Sequence, residues 1–112
     1  MKSLHFCMKT PIKTKILQST HIGDFIETYR TGWIPTIYPG DIIKLNYRDE
    51  NKKDTWIRTG QILDVIPVKY SYIKNLEDAQ EDILAYNRKF HLYHWFFKIQ
   101  INIINVSVSD IS

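Results

Sequence analysis

Large and polar side chains alternate along the run FIETYRTGWI from Phe25. This period of two predicts a β-strand with Ile26, Thr28 and Arg30 on one face and Phe25, Glu27 and Tyr29 on the other. The alternation returns near the C-terminal end, where Phe97, Ile99, Ile101 and Ile103 interleave with Lys98, Gln100 and Asn102, predicting a long closing strand buried on one face. Between these lie two further β-rich runs, Ile42 to Tyr47 and Thr55 to Ile66, joined by the polar tract RDENKKD, which reads as a hairpin connection. The segment Pro35-Thr-Ile-Tyr-Pro39-Gly40-Asp41 is the strongest turn signal, because proline presets φ and glycine supplies the positive φ of a type II turn. Gly60 inside the second strand of the hairpin predicts a bulge or sharp bend, and the strand pattern stops near Pro67.

Helical spacing appears once with clarity. Leu76, Ala79, Gln80, Ile83, Leu84 and Asn87 share a face, Asn75 is placed to cap, and Glu77 and Asp78 complement the positive end of the helix dipole. Ile83 and Leu84 mark the core side, and Glu81, Asp82, Arg88 and Lys89 the solvated side. Nearer the N-terminus a short strand from Leu4 to Met8 ends before Pro11, and a weak helical pattern at Ile12, Ile16 and Leu17 runs into Ser19, Thr20 and Gly23. The sum is about five strands and one or two helices with no βαβ rhythm, which predicts a small, mostly antiparallel α+β or β-barrel domain. Residues 1–112 read as a single domain, with residues 1–11 a peripheral strand or arm.

Composition narrows the setting. An apolar fraction of 44% and 13% aromatic residues in 112 positions supply a real core, which excludes a disordered chain. Fifteen basic against twelve acidic residues give a net charge of +3, which favours anionic partners. The lone Cys7 excludes an intrachain disulfide and points to a reducing, cytoplasmic compartment. No apolar run of about 18 residues occurs, and the N-terminal segment lacks the roughly 7–15-residue apolar stretch of a signal peptide, so membrane insertion and secretion are not expected. Abundant Ile, Lys, Asn and Tyr fit an AT-rich coding sequence, as in a phage, an organelle or a low-GC bacterium.

Arg30 is the leading candidate for function, since a guanidinium on a defined sheet face offers a fork of donors to phosphate or to a base edge; the competing reading is a rim salt bridge with Glu27 or Asp24. Lys44, Arg58 and Lys98 carry the same ambiguity between ligand contact and a solvated strand face. Trp33, Trp56 and Trp95, with five of the tyrosines interleaved with Lys and Arg, suit base stacking or core packing, and Trp95, flanked by apolar residues, reads as core. His91 with His94, and His5 near Cys7, leave a zinc site short of ligands, and nothing brings a base to Cys7, so no metal or cofactor is expected. The acidic stretch from Glu77 to Asp82 is explained by the helix dipole and a solvated face.

The order Gly23 to Arg30, Pro39-Gly40-Asp41, Gly60-Gln-Ile62-Leu-Asp-Val65 and Leu76-Glu77-Asp78-Ala79 resembles the ASCH family of the PUA-like superfamily over roughly residues 12 to 104. That resemblance implies a small β-barrel with a cleft for RNA or a modified nucleobase or nucleoside. Some ASCH members are amidohydrolases of acetylated cytidine that use a Lys and a Thr in the first motif and a Glu near the helix. Phe25 and Ile26 stand at the Lys and Thr positions here, although Thr28 and Arg30 remain and Glu77 or Glu81 could supply the acid. Without the amine and its neighbouring hydroxyl, hydrolysis loses its usual machinery, and binding is expected rather than catalysis.

The expected function is therefore a non-catalytic RNA- or modified-nucleoside-binding module whose cleft is bordered by Thr28, Arg30, Trp33, Lys44, Trp56 and Arg58. The paired strands PGDIIKLNY and GQILDV also look like those of SH3-like barrels, which gives an alternative: an adaptor for a protein partner or ribosomal RNA, such as a phage-encoded host modulator.

Overall fold

Chain order sets five strands before and after a pair of helices: β1 (Lys2–Cys7), β2 (Phe25–Arg30), β3 (Ile42–Arg48), β4 (Asp54–Lys69), α1 (Tyr70–Ile73), α2 (Asp82–Phe90) and β5 (Trp95–Asn105). The structure is a computed structural model that describes residues 2–7, 17–31, 36–49, 51–74 and 82–106. The strands form one sheet in the order β1-β3-β4-β5-β2. β1 runs parallel to β3, and every other pair is antiparallel, so the sheet is mixed. β1 and β2 are its two edges, and the sheet is not closed into a barrel. It does curl: Arg30, at the end of β2, places its guanidinium carbon 4.9 Å from the centre of the Phe6 ring on β1.

Local chemistry fixes the β3–β4 hairpin. Asp49 Oδ1 accepts the backbone N–H groups of Asn51 and Lys53, both at 2.9 Å, and Lys52 takes a left-handed φ of 62° at the tip. The Pro39-Gly40-Asp41 turn forms as expected, with Gly40 at φ 93° and the Tyr38 N–H donating to Asp41 Oδ2 at 2.9 Å. β4 is longer than its sequence pattern predicts, running on through Pro67. Its residues 54–61 pair with β3, but beyond Gln61 it pairs with β5 alone, and an edge tolerates a proline that cannot donate.

The alternation predicted for β2 holds, and that for β5 holds at Ile99, Ile101 and Ile103, whereas Phe97 is only half-buried and Phe96 on the opposite face is the buried aromatic. Ile26, Ile99, Ile101 and Ile103 join Leu4, Phe6, Leu17, Ile43, Leu45, Ile57 and Ile62 in the main core on the inner face of the curl. Register breaks at Ile57 and Leu63 of β4, and at Ile104 of β5 opposite Gly60, bend the strands around that core. Gly60 is required by proximity, because a Cβ there would fall inside the Ile101 side chain and 3.2 Å from Leu45 Cδ1. A smaller cluster of Ile73, Leu84 and Phe96, flanked by Tyr29, Val68, Tyr70 and Ile83, attaches the helices to the other face.

α2 buries Leu84 and Asn87 and leaves Arg88 and Lys89 exposed, as its pattern predicts. The expected cap at Asn75 and residues Leu76 to Glu81 lie outside the described residues, as does most of the weak helix from Ile12, of which only Leu17 and Gln18 are described as helical. No helix among the described residues is long and apolar enough to cross a membrane. Replacing Gly60 by Ala is expected to destabilise the protein by about 1–3 kcal/mol through overpacking, read as a lower urea midpoint; an unchanged midpoint would mean that Ile101 yields freely.

Candidate nucleic-acid interface

The residues expected to border a cleft fall into separate groups. Thr28 and Arg30 are together on the inner face of β2: Thr28 is fully buried, its Oγ1 accepts from Arg30 Nε at 3.2 Å, and the guanidinium lies over Phe6. Of the carboxylates weighed as its partners, Glu27 has Lys98 Nζ at 3.6 Å and Asp24 accepts the His21 N–H at 2.8 Å. Lys44 and Trp56 form a second pair, with Nζ 4.4 Å from the indole centre. Arg58 meets the second pair through its backbone alone, its carbonyl accepting from Trp56 Nε1 at 2.9 Å. The register break at Ile57 pairs Arg58 with Leu45, and its guanidinium donates to Thr20 Oγ1 at 3.0 Å and to the carbonyls of Ile57 and Gln18. It thereby ties the segment carrying Leu17 to the sheet, a structural role that periodicity alone does not show. Trp33 lies outside the described residues.

A polar knot sits where β1, β3 and β4 meet. Arg48 grips Asp54 with two donors, Nε at 2.8 Å and Nη2 at 3.1 Å. His5 Nδ1 lies 3.2 Å from Asp54 Oδ2 but outside hydrogen-bond alignment, so it is a buried nitrogen without a hydrogen-bond partner among the described residues. Asn46 Oδ1, at the same register on β3, shares that condition. Burial, and then the Arg48 charge, hold the His5 imidazole below its ordinary range against the opposing pull of Asp54. The Arg48 hydrogen bonds hold the Asp54 carboxyl below its usual range, and the Lys2 hydrogen bond does the same for Asp41.

A concave site lies elsewhere among the described residues. A groove of about 620 Å³ opens where β4 passes into α1 and α2 returns to β5. Lys69 and Trp95 face each other across the β4–β5 ladder, with Lys69 Nζ 5.7 Å from the centre of the indole. Tyr70 and Ser71 of α1 and Lys74 at its C-terminal cap line one wall, and Arg88, His91 and His94 the other. Trp95, read from sequence as core, is 53% exposed, because the buried position is its neighbour Phe96. Alternation puts one of two adjacent aromatics on each face, and Phe96 is the one that joins the buried cluster with Ile73 and Leu84 of the helices.

Backbone hydrogen bonds hold both walls. Fully buried Asn87 of α2 donates from Nδ2 to the Tyr93 carbonyl at 2.9 Å and accepts the Tyr93 N–H at 2.7 Å. His91 ends the helix in the left-handed region at φ 52°, its N–H donating to the Asn87 carbonyl at 2.8 Å. The Tyr70 N–H donates to the His94 carbonyl at 2.8 Å, joining α1 to the segment before β5. The result is a basic and aromatic concavity with no carboxylate among its described lining residues, suited to phosphate groups and flat π faces. Its cations come from three elements and share no periodic pattern, so the sequence offered no signal beyond the local density of His, Tyr and Trp from His91 to Trp95.

Comparison of the chain with protein-family models, curated proteins and solved structures returned no match. The functional reading therefore rests on the chain's own geometry.

Because folded His5 titrates below its unfolded counterpart, whose ordinary value is 6.5, its contribution to stability is complete above that pH and declines as pH falls through it. The carboxyls of Asp41 and Asp54, held below 3.8, add their loss only under stronger acid. The thermal midpoint should thus drop on acidification from about pH 7.5 to 5.5, and His5→Gln should flatten that slope; identical slopes in the two proteins would remove His5 from the account.

Proposed function

We propose that this protein is a non-catalytic RNA-binding module whose contact surface is the groove between α1, α2 and the β4–β5 ladder. The observation that carries the reading is the convergence of Lys69, Lys74, Arg88, His91 and His94 around Tyr70 and Trp95 with no carboxylate among the described lining. Cations supply the affinity for a phosphate backbone, and aromatic faces supply sequence-tolerant contact with bases. The ASCH resemblance supports the same class of ligand. A PUA-like arrangement belongs to the proposal, with the curl that carries Arg30 to Phe6 as its support, and so does a reducing, cytoplasmic setting.

Arg30 and Thr28 belong to the inner mouth of the curled sheet, and Arg30 is assigned here to packing on Phe6 rather than to the main contact surface. The adaptor reading has one observation in its favour: Tyr86, Phe90 and Leu92 are all exposed, and the Tyr86 and Phe90 rings pack at a tilt with centres 4.6 Å apart. Such a surface suits a protein partner.

Fluorescence anisotropy with labelled RNA across a salt series decides between them. Three phosphate contacts predict a loss of roughly 10- to 20-fold in affinity between about 50 and 200 mM salt. Lys69→Glu with Lys74→Glu should weaken binding by at least about tenfold, whereas Arg30→Ala should leave it within about twofold. Flat traces at low salt would overturn the RNA reading in favour of a protein partner. Saturable binding of a free nucleoside without RNA binding would turn it into a small-ligand site.

A further inference from the structure

We infer that the groove takes single-stranded RNA by stacking an unpaired base on the Trp95 indole, with the flanking phosphates held by Lys69 and Lys74. The inference rests on the RNA reading of the groove and specifies the form of RNA bound.

Three observations support it. Trp95 continues the row Ile101, Ile99, Phe97 along β5 but lies past the last core residue of that row, so its indole reaches the groove instead of packing. Its backbone is held: Lys69 is its partner across the ladder, its carbonyl accepts from Thr31 Oγ1 at 3.3 Å, and the next residue, Phe96, is fully buried with Tyr70 and Tyr93 rings 5.7 and 6.3 Å away. The strand position that carries the indole is therefore set before a base settles on it. Lys69, poised over the same indole, places a positive charge where the phosphate of a stacked nucleotide must pass.

Size and shape argue against a duplex. The groove volume of about 620 Å³ lies in the range of small-ligand sites, the scale of a nucleotide. A duplex hides its base faces within the stack and is read across grooves over many base pairs, by contacts to phosphate and the 2′-hydroxyl. It would meet the cations but leave the indole unused.

The test measures anisotropy of the full chain with three labelled probes of one length: a single-stranded RNA, the same RNA in a duplex, and a single strand carrying abasic sites with its phosphates intact. The intact single strand should bind about tenfold or more tightly than either of the others, the order of one stacked base. Trp95→Ala should remove that advantage and leave the weak abasic binding unchanged, while Trp95→Phe, which keeps a π face, should retain most of it. Equal binding of all three probes, with Lys69→Glu still damaging, would overturn stacking while sparing the RNA reading. Equal affinity of wild type and Trp95→Ala for the intact strand would do the same. Binding of no probe at low salt would overturn both.

Discussion

β4 is asked to serve two partners in succession. Residues 54–61 carry the ladder to β3, and from Thr59 onward the strand pairs with β5, so the two halves of the sheet meet on one strand. A straight strand would give a flat sheet with two exposed faces. The register breaks at Ile57 and Leu63, and at Ile104 of β5 opposite Gly60, bend it instead, and Gly60 removes the one Cβ that would keep Ile101 and Leu45 from closing over the bend. The inner core, the approach of Arg30 to Phe6 and the delivery of Lys69 beside Trp95 all depend on that single bent strand.

The basic residues divide into two kinds once the sheet has curled. Arg58 and Arg48 are tied by several hydrogen bonds each and act as fasteners, one holding the Leu17–Thr20 segment and the other the Asp54 end of the hairpin. Arg30 covers an aromatic ring at the mouth of the core. Lys69, Lys74 and Arg88 line one open concavity. A net charge of +3 conceals this segregation, and the reading as a nucleic-acid surface comes from where the charges gather, not from their sum.

The groove itself is assembled by a buried amide. Asn87 occupies a fully buried position on α2 that helical spacing assigns to the core. Its two hydrogen bonds to Tyr93 satisfy backbone groups just past the helix end, and they hold the His91–His94 segment against the start of β5. The left-handed backbone at His91, a conformation more often given to glycine or asparagine, lets the chain reverse directly after the helix. Together they turn an ordinary helix-to-strand connection into one wall of a site.

By itself the sequence determined what depends on local period and local turn chemistry. The faces of β2 and of β5 at Ile99, Ile101 and Ile103, the Pro39-Gly40-Asp41 turn, the hairpin around Asp49, the irregularity opposite Gly60 and the core face of α2 at Leu84 were all legible, because neighbours along the chain decide them. Only tertiary structure decided that β4 continues through Pro67, since a missing N–H is harmless where no second strand pairs. Tertiary structure also decided that Arg58 is a fastener and that Trp95 rather than Phe96 is exposed, since a one-residue difference in facing depends on what packs against the sheet. The parallel pairing of β1 with β3 and the gathering of Lys69, Lys74, Arg88 and Trp95 were illegible for the same reason. These contacts join residues distant in sequence, and no periodicity along the chain records which of its segments will meet.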